Sequence, residues 1–568
     1  LIMAATTSRS ARRERAKKDA KAGRPAGAAT RPRFPGTPLQ LALASIAIFA
    51  VAFLVHQPSL HFGFLTSWDD PTYVTDNPWI RGLTMENVKF AFTTPYFSNY
   101  LPLHMVSYMV DYSLWGLNPF GFHLQSVLLA ALNAVLAFFV VRRLFGSLAL
   151  GVVAALLYAV HPSHVEAVAW VSIRKDLLST VFLLLTLIRY DEATQGRKLR
   201  MVWYVVSIVT FLLGLWSKMS IVALPLFLLV LDFMRDRQGR PFDWKRAIVT
   251  KIPYGLLAIW LVIENNRVQV KSEQPYAHQP LQYLMVKGHA VWMYLGLLTG
   301  IPEGRPIYDP PSLSPLDLAG VLILPAIFWL AYRRRMRALA LGTAWTFALL
   351  IPALAFPLIT YMADRYLYAP SLGFCWILAA GLVWIAGRVK AEPGRTVTLA
   401  ALTAIPLVFF AARTRQYQEV WSGGEALWTY TTKHSHDFRA LNNLAQVRLN
   451  QQRYADAERL YGMAAKFDNI VSWQGLATTY YNTKRYEQAQ QAIDKSIAIM
   501  KTKRSSPDEE AELYYTRGAI EWVRGQNAAA IQDWETAVQI YPQHVQARAW
   551  LRTARGEAPP PSPPTSPR

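Results

Sequence analysis

Apolar residues gather into twelve stretches, roughly 39–57, 123–141, 147–162, 165–189, 201–216, 219–234, 247–264, 281–300, 317–332, 337–356, 366–387 and 396–412. An α-helix needs about 20 residues to cross some 30 Å of hydrocarbon, and several of these stretches lie near the lower limit. Five of the connections are basic: Arg142-Arg143, Arg189 to Arg200, Arg235 to Arg246, Arg333 to Arg337 and Arg388 to Arg395. Basic loops favour the cytoplasmic side. With a basic N-terminal arm inside, the first three alternate correctly if spans one to seven all cross. Lys287 and His289 fall in the middle of 281–300, where charge is costly in lipid. Treating that stretch as re-entrant or interfacial places every basic loop inside. The pattern then predicts eleven crossings, an external region over 265–316 and an external C-terminus.

Past Ala412 the pattern becomes that of soluble helices with a period near 34 residues. Leu441, Leu444, Ala445, Tyr454, Ala457, Tyr461 and Ala464 set a register. Trp473, Leu476, Ala477, Tyr480, Tyr486, Ala489 and Ile493 repeat it, and Tyr514, Gly518, Gly525, Ala530, Trp534, Ala537 and Pro542 do so again. That is tetratricopeptide spacing, with small residues where paired helices cross and aromatics in the seam. Three repeats are about the minimum for a stable stack, and the helix from Gln543 to Arg555 reads as its cap. The chain divides into a basic cytoplasmic arm (1–37), an all-α membrane domain (38–415), a repeat domain (416–556) and a Pro-rich tail (557–568). Met3 reads as the natural start. No signal-peptidase pattern follows the first span, which reads as a retained helix.

Composition agrees with this division. Hydrophobic residues make up 52% of the 568, charged residues 17%, and there are 19 Trp. The formal charge of +22 raises the possibility of nucleic acid, but the cations sit in short runs between apolar spans, which is a topology signal. Nucleic acid is therefore set aside, and the arm is assigned to anionic lipid. Cys375 stands alone inside an apolar span, so neither a disulfide framework nor a cysteine metal site is expected.

The candidate chemistry centres on His61 to Pro78, HFGFLTSWDDPTYVTDNP. Asp69 and Asp70 are adjacent carboxylates between Trp68 and Pro71, at the expected membrane surface. Pro71 disfavours helix at Asp70, so an extended or turn segment with both side chains projecting is expected. Like charge and partial burial raise carboxylate pKa values, which suits a general base. The alternative is an Asp-Pro turn leading to a helix that starts near Thr84.

The stretch HPSHVEAVAWVSIRKDLLS, 161–179, carries His161, His164, Glu166, Arg174, Lys175 and Asp176 near or within a membrane helix. An Arg-Lys-Asp cluster inside a span is expected to face a cavity and hold an anionic headgroup. His161 and His164 have no third metal partner at fixed spacing, so a divalent metal is optional. Lys218 is either a snorkelling helix-end lysine or a substrate cation. Asp364-Arg365 is either an interfacial ion pair or a phosphate site. Asn99 to Phe122 reads as an amphipathic helix roofing the site, and the loop Glu264 to Pro280 as functional or mobile. All of these fall on the external face of the predicted topology.

WDDPTYVTDNP, PLHMVSYMVDYSLWGLNPFGFHL, HPSHVEAVAWVSIRKDLLS, WSKMSIVALPLFLLVLD and ADRYLYAPSLGF occur in that order ahead of the repeats. Together they resemble the transmembrane-and-tetratricopeptide O-mannosyltransferases and their bacterial relatives, in the GT-C glycosyltransferase superfamily, over about residues 39–550. The resemblance implies transfer of a sugar such as mannose from a polyprenyl-phosphate carrier to Ser/Thr hydroxyls, with inversion and no covalent enzyme intermediate. It implies that one of Asp69 and Asp70 is the base; Asp70 is the first choice. Arg174, Lys175, Lys218 and Arg365 are candidates to stabilise the departing lipid phosphate, with His161, His164, Glu166 and Asp364 around the substrate.

Two positions depart from the family pattern: Ser217-Lys218-Met219 where relatives often have Ser-Lys-Glu, and Leu101-Pro102-Leu103 where they often have Arg-Pro-Leu. Basicity and missing disulfides point to a bacterial inner membrane, making the external face periplasmic. The repeats would bind the acceptor protein. The rival readings are transfer to a lipopolysaccharide or other glycolipid, and a membrane-anchored scaffold without catalysis.

Overall fold

The computed structural model describes residues 36–97, 99–196, 198–235, 242–268, 279–355, 360–502 and 506–557. The N-terminal arm up to residue 35, the tail from 558 and most of the Glu264–Pro280 loop lie outside the described residues. Regular structure among the described residues is helical apart from a single Tyr96–Asn99 bridge.

In chain order the first part comprises α1 (Pro38–His56), α2 (Met85–Thr93), α3 (Pro102–Trp115), α4 (Pro119–Phe145), α5 (Leu148–Ala159), α6 (Val165–Ala169), α7 (Arg174–Thr194) and α8 (Met201–Ser217). It continues through α9 (Leu224–Met234), α10 (Trp244–Val249), α11 (Ile252–Val268), α12 (Pro280–Leu298), α13 (Asp317–Arg333), α14 (Arg337–Ala355) and α15 (Ser371–Ala386) to α16 (Gly394–Val420). Among the described residues, five helical segments are long and apolar enough to cross a membrane: 38–61, 119–145, 244–267, 337–355 and 394–420. A sixth results if α5 and the 162–169 segment, bent by 54°, form one span. Other expected spans are present as shorter helices, or carry charges at their ends. The predicted 165–189 span is interrupted at Trp170–Ile173, where a 3₁₀ turn separates α6 from α7. The polar 161–179 stretch is thereby folded into breaks at the helix ends.

Pairs of helices meet where side chains are small. Gly288 and Gly320 let α12 and α13 touch backbone to backbone: a Cβ on Gly288 would lie 1.7 Å from the Asp317 carbonyl oxygen. The Lys287 ammonium donates to the Ala353 carbonyl at 3.2 Å, and His289 faces Asp317 at 3.0 Å. The polar groups inside the 281–300 stretch therefore have protein partners rather than lipid.

Charges collect at opposite ends of α4 and α7. At one end Arg143 and Arg235 pair with Asp191, and Lys251 pairs with Asp232. Arg143, Asp191 and Arg235, which lie in or beside the first three expected basic connections, thus share one end of the helices. The 21 residues of α7 carry the chain about 30 Å from there to Arg174, Lys175 and Asp176.

Beyond α16 come α17 (Gly424–His434), α18 (Phe438–Asn450), α19 (Tyr454–Ala465), α20 (Ile470–Asn482), α21 (Tyr486–Met500), α22 (Pro507–Val523), α23 (Asn527–Ile540) and α24 (Val545–Ala554). Each packs on its successor. Ala457, Tyr461 and Ala464 on α19 are buried, as are Ala489 and Ile493 on α21 and Ala530, Trp534 and Ala537 on α23. These are among the register positions named from the sequence; Leu441, Tyr454, Trp473, Tyr480, Tyr486 and Tyr514 are half-buried.

Candidate active site

The aspartate loop leaves α1 through a short 3₁₀ turn and reaches Asp69 and Asp70 after a tight turn in which the Trp68 amide donates to the Leu65 carbonyl at 3.1 Å. Asp70 is helical (φ −62°, ψ −34°) and opens a π-turn over Pro71–Thr75, closed by Asp76 N–H donating to the Pro71 carbonyl at 2.8 Å. Of the extended or turn conformation expected, the turn is observed, and an extended Asp70 is corrected. Local pre-proline sterics yield to tertiary hydrogen bonds. One Asp70 carboxylate oxygen accepts from the Leu65 amide at 2.8 Å, and the other from the Ser172 amide at 3.1 Å and from the Ser172 hydroxyl. Asp70 is 1% exposed. Burial pushes its carboxyl up to about 6, against the pull of those bonds.

Asp69 differs from its neighbour. It is part-exposed, and among the described residues no hydrogen bond fixes its carboxylate. Burial raises its pKa, opposed by the charges of Lys175 and Arg365. So the expectation that both carboxylates project freely holds for Asp69 alone.

Two cations, Lys175 and Arg365, act on Asp69, and a third, Lys218, acts on Lys175. The Lys175 ammonium lies over the Tyr73 ring at 4.9 Å. Lys218, at the break after α8, reaches both oxygens of Asp176 at 2.6 Å and lies 5.5 Å over the Tyr366 ring. Arg365 pairs with Glu166, whose other oxygen accepts the Arg365 amide at 2.8 Å, and its guanidinium faces the Trp170 and Tyr366 rings at 5.8 and 5.0 Å. Charge and aromatic surface alternate around one carboxylate. Such a setting suits a sugar ring next to a phosphate.

The remaining expected site residues sit elsewhere. Arg174 is fully buried: it pairs with Asp111 of α3 and donates to Gln125 at 2.5 Å, Ser126 at 3.3 Å and the Phe122 carbonyl at 2.6 Å. It fastens α3 and α4 to the start of α7. His161 is held by Ser163 (2.8 Å) and the Leu298 carbonyl (3.0 Å), and His164 by Ser371 (2.8 Å). Both are buried core histidines. Asp364, also buried, accepts from Tyr308 at 2.5 Å and from Tyr417 of α16 at 3.0 Å. Burial and the nearby Glu166 charge push Asp364 up to about 7. No three His, Cys, Asp or Glu side chains among the described residues are grouped to hold a metal ion.

Sequence reading missed Ser172, Tyr73 and His104. His104 on α3 is fully buried, its ring 5.4 Å from Tyr73, with neither nitrogen hydrogen-bonded to protein. A sequence signal existed for Ser172, which lies in the singled-out 161–179 stretch, but its partner is 102 residues away.

A family model described as dolichyl-phosphate-mannose-protein mannosyltransferase matches residues 104–265. That region holds Lys175 and Lys218 but not the aspartate loop. The protein O-mannosyl-transferase TMTC3 of Mus musculus is 26% identical over 511 residues, covering 80% of this chain and 54% of its own length. TMTC1 of Homo sapiens is 26% identical over 468 residues, covering 73% of this chain and 52% of its own. The chain spans about half the length of these curated relatives. A solved structure described as ArnT from Cupriavidus metallidurans bound to undecaprenyl phosphate is 17% identical, covering 79% of each chain, with a TM-score of 0.33. The chain is similar to the TMTC protein O-mannosyl-transferases over most of its length.

Proposed function

We propose that the chain is a membrane glycosyltransferase that moves a hexose from a polyprenyl-phosphate carrier to Ser/Thr hydroxyls of proteins at the external face of a bacterial inner membrane. The carrying observation is the unfastened Asp69 carboxylate beside Lys175 and Arg365, with Lys218 next to Lys175. It favours Asp69 over Asp70 as the base, because Asp70 already takes three hydrogen bonds. In this reading the acceptor oxygen attacks the anomeric carbon while Asp69 takes its proton. The bond from anomeric carbon to phosphate oxygen breaks, its electron pair stays on the phosphate, and the configuration inverts. Lys175, Lys218 and Arg365 stabilise the charge left on the phosphate. The helix pairs α18 to α24 act as tetratricopeptide repeats that gather the acceptor protein.

The test supplies purified protein with short-chain polyprenyl-phosphate hexoses, Ser/Thr peptides and extracted glycolipids, and reads mass shifts. A hexose on peptide that is lost in Asp69→Asn supports the assignment. A hexose on glycolipid alone replaces the protein acceptor. Transfer that survives Asp69→Asn removes Asp69 from the chemistry.

A further inference from the structure

The aspartate loop is gripped from the repeat side as well as from the membrane side. Ser67 and Trp68 immediately precede Asp69. The Trp428 indole N–H, from α17, donates to the Ser67 hydroxyl at 2.7 Å. Trp68 packs against Trp170 at 4.2 Å, Trp428 at 4.8 Å and Trp421 at 6.1 Å. Trp428 and Trp421 are both fully buried. Gly424 begins α17 directly over the same serine, where a Cβ would lie 2.8 Å from the Ser67 hydroxyl. In turn α17 is anchored to the 303–309 loop. Tyr430 donates to Glu303 at 3.2 Å and to the Gly304 carbonyl at 3.1 Å. Arg305 donates to the His434 carbonyl at 3.2 Å, and the His436 amide donates to Asp309 at 3.0 Å.

We infer that α17 is a positioning element of the active site: through Trp428 and Gly424 it holds Ser67 and Trp68 and so aims Asp69. Asp69 sits between two fixed residues. Asp70 is held by Leu65 and Ser172 on the membrane side, and Trp68 is held by α17 on the repeat side. Neither grip touches the Asp69 carboxylate, which stays free for a substrate while its backbone is fixed at both neighbours. A misplacement of about 1 Å in a reacting group can cost on the order of 100-fold in rate, so a grip of this kind acts on turnover rather than on acceptor affinity. The inference rests on the reading of Asp69 as the base. It gives the junction with the repeats a role separate from acceptor capture.

The experiment uses the full chain in lipid nanodiscs, as wild type and as Trp428→Ala, Trp428→Phe, Ser67→Ala and the distal repeat variant Trp534→Phe. Hydrogen exchange is followed at the amides of residues 65–73, and steady-state transfer is measured with a short Ser peptide and a polyprenyl-phosphate hexose. The expected result is exchange at least tenfold faster over 65–73 in Trp428→Ala, a smaller rise in Trp428→Phe and Ser67→Ala, and none in Trp534→Phe. In the transfer assay kcat falls about tenfold in Trp428→Ala while the peptide KM holds, and Trp428→Phe recovers part of the loss. Unchanged protection of 65–73 in Trp428→Ala overturns the inference. So does faster exchange spread evenly over α17 and α18, because Trp428 would then be a packing residue. Exchange is read without turnover, so absence of transfer by wild type would count against the proposed function and leave the coupling judged by exchange.

Discussion

Asp69 and Asp70 are chemically identical and adjacent, yet the fold separates their roles. Asp69→Asn is expected to lower kcat by about 10² to 10⁴, the usual scale for a general base, with an unchanged melting temperature. Asp70→Asn turns an amide NH₂ toward backbone donors and leaves at least one of them unsatisfied, a cost of about 1–3 kcal/mol. Its expected signature is a lower melting temperature together with lower activity. The acid limb of kcat/KM is expected above the ordinary carboxylate range, because burial raises Asp69. The rate rises with pH as the base ionises and then levels off, and any residual rate in Asp69→Asn lacks this limb. The sequence exposed the pair but not the difference. The difference depends on Ser172, from a segment 102 residues away, and the same contact overrides the conformation that Pro71 alone favours.

Single elements carry charges at their ends, and what those charges do depends on the neighbour. Arg174 and Lys175 adjoin at the start of α7, yet one is sealed against Asp111 and the other faces Asp69. Both side chains of the Arg174–Asp111 pair are at most 2% exposed. Breaking such a buried pair from one side costs about 3–5 kcal/mol, so Asp111→Ala is expected to lose much of the thermal stability of the folded chain in detergent. Lys175→Met, by contrast, should leave the melting temperature nearly unchanged. It should raise the donor KM about 10- to 100-fold, the value of one or two charge-assisted hydrogen bonds. A sequence shows that a span holds an Arg-Lys-Asp run. It does not show which of the three faces the amphipathic helix α3, because that depends on how α3 lies across α7. The helices α18 to α24 are easier to read, since their period and small buried residues are local signals. The helix break at 170–173 is not, since apolar composition runs through it, whereas Lys218 marks the break between 201–216 and 219–234.

At the scale of the molecule, Asp364 ties the segment ahead of α15 to α16, which leads into the C-terminal helices. It lies beside Glu166 and takes hydrogen bonds from Tyr308 and Tyr417. Its folded pKa, about 7, lies above that of an unfolded aspartate, so the protonated form is favoured on folding. The stabilisation it contributes is fully present below about pH 4 and is lost as pH rises through 7. Asp70, pushed up to about 6, acts in the same sense. The melting temperature is therefore expected to rise on acidification from pH 8 to pH 5.5, and Asp364→Asn should flatten that rise when the two pH values are compared by thermal unfolding. The same junction contains four indoles: Trp68 lies 4.2, 6.1 and 4.8 Å from Trp170, Trp421 and Trp428, and Trp170 lies 5.9 Å from Trp421, between ring centres. At such distances their excited states mix, so the protein carries a built-in optical gauge. A near-ultraviolet circular dichroism couplet should report whether the loop and the first repeat-side helix are docked, with no label attached. Its loss on binding of an acceptor or donor would make the seating of the loop visible in real time.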